Sequence, residues 1–285
     1  MARHGLTDWE WQAIEPLLPA ERGRRGRPWN AHRRTIDGIL WVLTTGAPWR
    51  DLPTEFGSWS SIHDRFNRWS RDGTWKLIQR TLLKWLGERD GIDRDLWFID
   101  GSSVRATRAA AGAGKRGASG EPEDHALGRS RGGYGTKFHL VCDRLGVPLT
   151  VEVTPGQRHE CACFEQTMDG VSIPGRRGAP QRRPRRLGGD RGYSYPRIRA
   201  WLRSKRIGVV IPTRRNQQRS TDFDPHAYRD RNVVERCVGW LKEARRVSTR
   251  YEKLARNYLS MIRRGGPPLA IVRRLLRLLA REPLR

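Results

Sequence analysis

Apolar residues recur at helical spacing through the first third of the chain and in short unbroken runs after it. Leu6-Thr7-Asp8-Trp9-Glu10-Trp11 is a helix start with a mechanism: Thr7 caps the first turn, Glu10 closes a capping box, and Leu6 can staple against Trp11. That helix ends near Leu18-Pro19. A basic, glycine-broken loop leads to a second helix over residues 31–45, with Ile36, Ile39, Leu40 and Leu43 on its apolar side, stopped by Gly46-Ala47-Pro48. Ser58 is placed to cap a third helix carrying Ile62, Phe66 and Trp69. A fourth, over 75–86, closes the segment on Leu77, Ile78, Leu82 and Trp85. All tryptophans but Trp201 and Trp240 lie within the first 97 residues, most at apolar helix positions, and read as core.

At Asp95 the period changes. Leu96-Trp97-Phe98-Ile99-Asp100 is a wholly apolar run ending in an acid, which predicts a buried strand whose carboxylate emerges at its end. A Gly/Ala/Arg-rich stretch to Gly135 reads as a loop or insertion. Strands over 137–142 and 148–154 flank a hairpin turn in which Asp143 is a turn former. A short helix follows over 160–168, then a loop over 174–186 rich in arginine and proline. Residues 186–190 make a weak strand, 196–205 a helix and 207–212 a good strand. This order predicts an α/β sheet behind a small all-α domain.

The last strong element runs from Tyr228 to Arg246. At about 100° per residue, Val233, Cys237, Trp240, Leu241 and Ala244 share one arc, which seeks a core. If the helix extends back to Tyr228, then Tyr228, Arg231, Glu235 and Lys242 fall along one line on the other side. Spacing alone favours an ion-paired surface stripe. The alternative is a carboxylate acting as metal ligand or general base, with cations beside it for phosphates.

Of 285 residues, 56 are Lys or Arg and 30 Asp or Glu, a formal net charge of +26, so the expected partner is a polyanion, nucleic acid first. Two short helices, the second carrying Ser60, His63, Asn67, Arg68 and Arg71 outward, suit a helix-turn-helix on DNA. Small bundles show the same pattern without DNA, and the basic balance favours DNA here. Met1 to Leu6 lacks the apolar core of a signal peptide and no run of eighteen apolar residues exists, so a soluble, cytoplasmic, nucleoid-associated protein is expected. Cys142, Cys161, Cys163 and Cys237 fit no zinc spacing and are expected to be reduced, buried thiols.

Asp100, Asp190 and Glu235 each sit where a strand end or helix face can point into a common cleft. Carboxylates brought together repel unless a cation neutralises them, and hard oxygen donors in threes suit Mg²⁺ or Mn²⁺. Two such ions would serve displacement at phosphorus. Each acid also has a plain alternative: Asp100 capping a turn, Asp190 pairing with Arg191, Glu235 pairing with Arg231.

Tyr228, Arg231, Glu235 and Lys242, at their observed spacing, resemble the third-acid signature of the IS-five family of bacterial insertion-sequence transposases. Ile-Asp-Gly-Ser-Ser-Val-Arg-Ala (99–106) and Gly-Gly-Asp-Arg-Gly-Tyr (188–193) resemble its first two acid motifs. Thr7-Asp8-Trp9-Glu10 and residues 46–53 resemble its leader domain. The resemblance implies a ribonuclease H-like catalytic domain over 96–260, preceded by a helical, helix-turn-helix-like DNA-binding domain over 1–95. It implies a DDE triad of Asp100, Asp190 and Glu235 holding two Mg²⁺ (or Mn²⁺) ions, with Tyr228, Arg231 and Lys242 contacting DNA. It implies terminal inverted repeats and target DNA as partners, with a homodimer on DNA. A catalytically inactive copy that only binds DNA is the alternative. After Met261 the chain departs from the family, reading Ile-Arg-Arg-Gly-Gly-Pro-Pro. Gly-Gly-Pro-Pro breaks a helix, and residues 269–280 then suit a basic amphipathic one within an atypical tail over 261–285.

Overall fold

The computed structural model describes residues 5–21, 31–112, 121–175, 178–218, 223–262 and 269–281. The Gly-Gly-Pro-Pro break lies outside them. Helix α1, Asp8–Ile14, carries the expected capping box: Thr7 Oγ1 accepts from the Glu10 N–H at 3.2 Å, and Glu10 Oε2 accepts from the Thr7 N–H at 2.8 Å. Helices α2 (His32–Thr45), α3 (Trp59–Asp72) and α4 (Thr74–Glu88) bury Ile36, Ile39, Leu40, Ile62, Phe66, Trp69, Trp75, Ile78 and Leu82. Trp69 and Trp75 meet edge to face with centroids 5.0 Å apart. Three details depart from the sequence reading. Ser58 occupies the cap position of α3, but its hydroxyl meets Ser60 Oγ instead of a backbone N–H. Leu77 lies off the arc of Trp75, Ile78 and Leu82 and is 51% exposed. Residues 46–58, between α2 and α3, hold two 3-10 turns, Trp49–Asp51 and Thr54–Phe56, in place of one tight turn.

Strand β1, Leu96–Ala106, runs well past Asp100, because residues 101–105 keep pairing with the next long strand. After the one-turn helix α5 (Arg108–Ala111) come β2 (Gly128–Ser130), β3 (Gly133–Asp143) and β4 (Pro148–Pro155). Part of the expected loop before Gly135 is therefore helix and strand. Asp143 ends β3, fully buried, and its carboxylate accepts the N–H groups of Asp93, Leu145 and Val147, so it does build the turn. Helix α6 is Phe164–Asp169, β5 Arg186–Gly188, α7 Pro196–Ser204 and β6 Gly208–Val210. The region read as one helix from Tyr228 is three: α8 (Pro225–Arg229), α9 (Asn232–Lys242) and α10 (Arg245–Ser248). It is followed by β7 (Thr249–Arg250), α11 (Ala255–Ile262) and α12 (Leu269–Arg281).

The seven strands form one mixed sheet with the path β2-β3-β1-β5-β6, β4 pairing with β3 and β7 with β1. β3 is antiparallel to both β4 and β1, while β1, β5 and β6 run parallel. Three antiparallel strands continued by two parallel ones, with helices packed against them, make the ribonuclease H-like arrangement. α9 lies against β1 and β3, burying Val233, Val234, Cys237, Val238 and Leu241. α12 returns to α4, with Val272, Leu275, Leu276 and Leu279 buried there. All four cysteines are free; Cys161 is half-buried and the others buried. Among the described residues, no helix is long and apolar enough to cross a membrane.

Candidate active site

The parallel pairing of β1 with β5 sets Leu96, Trp97 and Phe98 opposite Arg186, Leu187 and Gly188. Two residues beyond that last pair lie Asp100, still within β1, and Asp190, just past the end of β5, so the parallel register brings the two acids level with each other. The approach is close: a Cβ at Gly188 would stand 2.4 Å from the Phe98 ring, and only glycine fits. β5 stops at Gly188 and Asp190 turns the chain, its carboxylate accepting the Gly192 N–H at 2.8 Å.

Burial pushes the Asp100 carboxyl up to about 6; the Gly101 N–H opposes this, Asp190 and Glu160 add to it, and Arg231 draws it back. Glu160 opens a 3-10 turn, Glu160–Cys163, after β4 and pairs with Lys137 Nζ at 3.2 Å. Tyr193 is fully buried. Its hydroxyl has no hydrogen-bond partner, and its pKa is raised by burial first, then by Glu160, Asp100 and Asp190.

Glu235 is placed differently. It stands on α9 with its side chain 52% exposed, bound to Arg231 Nη2 at 2.6 Å. Burial works against the Arg231 charge, and Tyr228, Glu235 and Asp100 outweigh it, raising its pKa. Tyr228 is on α8, off the regular line of α9, because the chain turns at Asp230 and Arg231. Even so the Arg231 guanidinium lies 5.7 Å from the Tyr228 ring centroid. Lys242 Nζ donates to the Ser103 carbonyl at 3.1 Å, and its pKa is lowered by burial against the pull of Asp100. The structure thus gathers Asp100 and Asp190 with Glu160, while Glu235 is bonded to Arg231, whose charge also acts on Asp100.

A divalent ion needs hard oxygen donors, and these carboxylates supply them; their mutual repulsion, and the orphaned Tyr193 hydroxyl among them, suit a cation. Among the described residues, no three acidic, histidine or cysteine side chains converge closely enough to hold one as they stand.

The five residues singled out on α3 have unequal surroundings. Ser60, Arg68 and Arg71 are exposed. His63 is half-buried against Trp49, with centroids 5.0 Å apart, and burial lowers its pKa. Asn67 Oδ1 accepts from Asn257 Nδ2 of α11 at 2.7 Å. His63, Asn67, Arg68 and Arg71 line a groove of about 690 Å³ whose other wall includes Arg246 and Arg256. Sequence reasoning missed those last two, along with Glu160 and Lys137. Glu160 resembles Asp190 in following a strand end, but no spacing links it to the other acids.

Residues 6–79 match the family described as "Putative transposase of IS4/5 family", and residues 92–264 match the transposase DDE domain. The second match spans more than half of the chain, which belongs to the DDE transposase family. An insertion element IS402 uncharacterized 16.2 kDa protein from Burkholderia cepacia is 40% identical over 115 residues, 38% of this chain and 78% of its own length. From the same species, a "Putative transposase for insertion sequence element IS402" is 36% identical over 122 residues, 42% of this chain and 56% of its own. Among solved structures, the Mos1 strand transfer complex covers 93% of this chain and 82% of its own at 13% identity. Its TM-score is 0.27, too loose to place any residue.

Proposed function

We propose that this transposase binds the terminal inverted repeats of its own element, cleaves the DNA strand there to free a 3′-OH, and joins that hydroxyl to target DNA. The observation that carries the reading is the β1–β5 register, which brings Asp100 and Asp190 level on neighbouring strands, with α9 packed on β1. In this reading Asp100, Asp190 and Glu235 are the catalytic and metal-holding acids. Two Mg²⁺ or Mn²⁺ ions, when bound, would supply charge neutralisation for both the attacking and the leaving oxygen. Arg231, released from Glu235, and Lys242 hold phosphates near the strand end, with Tyr228 beside them. The α3 face (Ser60, His63, Asn67, Arg68, Arg71) engages the duplex, and a homodimer holds the two ends.

A second reading, a copy that occupies the repeats without cutting them, is favoured by one observation: the Arg231 pair that turns Glu235 aside. Joining separates the alternatives. A labelled duplex with a pre-formed 3′-OH end, given supercoiled plasmid and Mg²⁺, is expected to become covalently linked to it. Asp100→Ala, Asp190→Ala and Glu235→Ala are each expected to abolish joining while end binding by fluorescence anisotropy persists. Full joining in any of the three would sink the triad, and cleavage without joining would make the chain a nuclease.

A further inference from the structure

In a chain of formal charge +26, the place where β5 ends beside the middle of β1 collects acids instead. Glu160 is the third of them, and the backbone around it is shaped to admit it. A Cβ at Gly101 would stand 2.6 Å from Glu160 Cγ and 2.9 Å from its Oε1. At Gly192 a Cβ would stand 2.8 Å from Asp190 Oδ1 and 3.3 Å from Glu160 Oε2. A side chain at either position would push the carboxylate out. The second pair of distances also bounds the acids: Asp190 Oδ1 and Glu160 Oε2 are no farther apart than those two lengths laid end to end. One divalent ion with a water of its own spans such a gap.

The charge balance and one buried atom point the same way. Glu160 is paired with a single ammonium, Lys137, while Asp100 and Asp190 add two further carboxylates. The Tyr193 hydroxyl, fully buried, has no hydrogen-bond partner among the described residues, and after burial the charges acting on it are led by those same three acids. A buried hydroxyl left without a partner is costly, and a water carried in by a hydrated ion would supply one.

We propose that Glu160 is a positioning carboxylate of the divalent-cation site built on Asp100 and Asp190, and that Lys137 is its counter-ion, carrying part of the balancing charge until the cation arrives. The inference rests on the reading of that site as cation-dependent. Its mechanism is electrostatic and through water: Glu160 orients the outer hydration of the ion and adds negative charge, while Lys137 subtracts it.

The two residues therefore have opposite signatures. Mn²⁺ binding to the full chain without DNA, followed by electron paramagnetic resonance of the free ion, is expected to weaken about tenfold in Glu160→Gln and to recover partly in Glu160→Asp. Lys137→Met is expected to bind Mn²⁺ several-fold tighter. A bridge that only held the fold would move Glu160→Gln and Lys137→Met in the same direction, and circular dichroism verifies that each variant is folded. Wild-type affinity in Glu160→Gln, where Asp100→Asn loses binding, would overturn the role of Glu160 and leave the site intact. Weaker binding in Lys137→Met would overturn it too. Mn²⁺ binding indifferent to both Asp100→Asn and Glu160→Gln would overturn the cation reading itself, and this inference with it.

Discussion

Arg250 and Asp100 are both charged groups drawn out of water, and the chain treats them in opposite ways. Arg250 on β7 is fully buried, yet its guanidinium is answered on every side. Nε donates to the Glu252 carbonyl (2.9 Å), Nη1 to the Ala126 carbonyl (3.0 Å) and Thr136 Oγ1 (2.6 Å), and Nη2 to the Lys253 carbonyl (3.0 Å). Burial lowers its pKa to about 10, which leaves it charged at neutral pH. Asp100 has Asp190 and Glu160 as neighbours, and the nearby guanidinium of Arg231 is bonded to Glu235. A buried charge whose bonds are complete pins the fold, here β7 to the start of β3. A charge set among its own kind is a site awaiting a partner.

The sharpest way to break this contrast is to delete Arg250. Arg250→Met takes the donor from the Glu252 and Lys253 carbonyls and breaks its bonds to the Ala126–Thr136 pair, and urea denaturation is expected to show a loss of about 3–5 kcal/mol. A loss under about 1 kcal/mol would mean those bonds do not hold the joint.

Asp100 predicts the reverse sign. Its folded pKa, about 6, lies above the ordinary 3.8, so between those values the folded chain keeps a proton that the unfolded chain releases. Stability is therefore full at the acid end and falls as pH rises through that window. Asp100→Asn removes this part of the slope and is expected to be the more stable protein at pH 7, by on the order of 1–3 kcal/mol. Asp143, pushed up to about 7 by burial, adds a slope of the same sign to both proteins and cancels in the difference. Parallel melting curves from pH 4 to 7 for the two proteins would show that Asp100 is not strained.

A smaller effect calibrates the scale. Thr7→Ala removes the capping box of α1, far from either region, and thermal melts are expected to register about 1 kcal/mol. A larger loss would mean that α1 anchors more than its own first turn.

The helical part was legible because its information is local. The capping box, the apolar arcs of α2 to α4 and the punctuation at Gly46 and Pro48 all act within a few residues. β5 was barely legible, since Arg186-Leu187-Gly188 is a strand only because β1 and β6 flank it. The apolar run marks Asp100 as a candidate but ends the strand there, whereas the polar Gly-Ser-Ser after it pairs across to β3, which no apolar pattern reveals. The break between α8 and α9 was hidden because both sides read as helix. Glu160 was invisible as a site residue, because chain reversal after β4, and not spacing, brings it to Asp190. The partial cover of α3 by Asn257 is non-local in the same way.

The central question is whether the clustered acids cut DNA when a cation joins them. A duplex carrying the element's own end, labelled on one strand and incubated with the purified chain, reports this directly. The account predicts a nick at the element boundary leaving a 3′-OH in Mg²⁺, none in EDTA, and none with Asp100→Asn in either. A nick that persists in EDTA or in Asp100→Asn, or a chain that binds the end in Mg²⁺ and never cuts it, would contradict it.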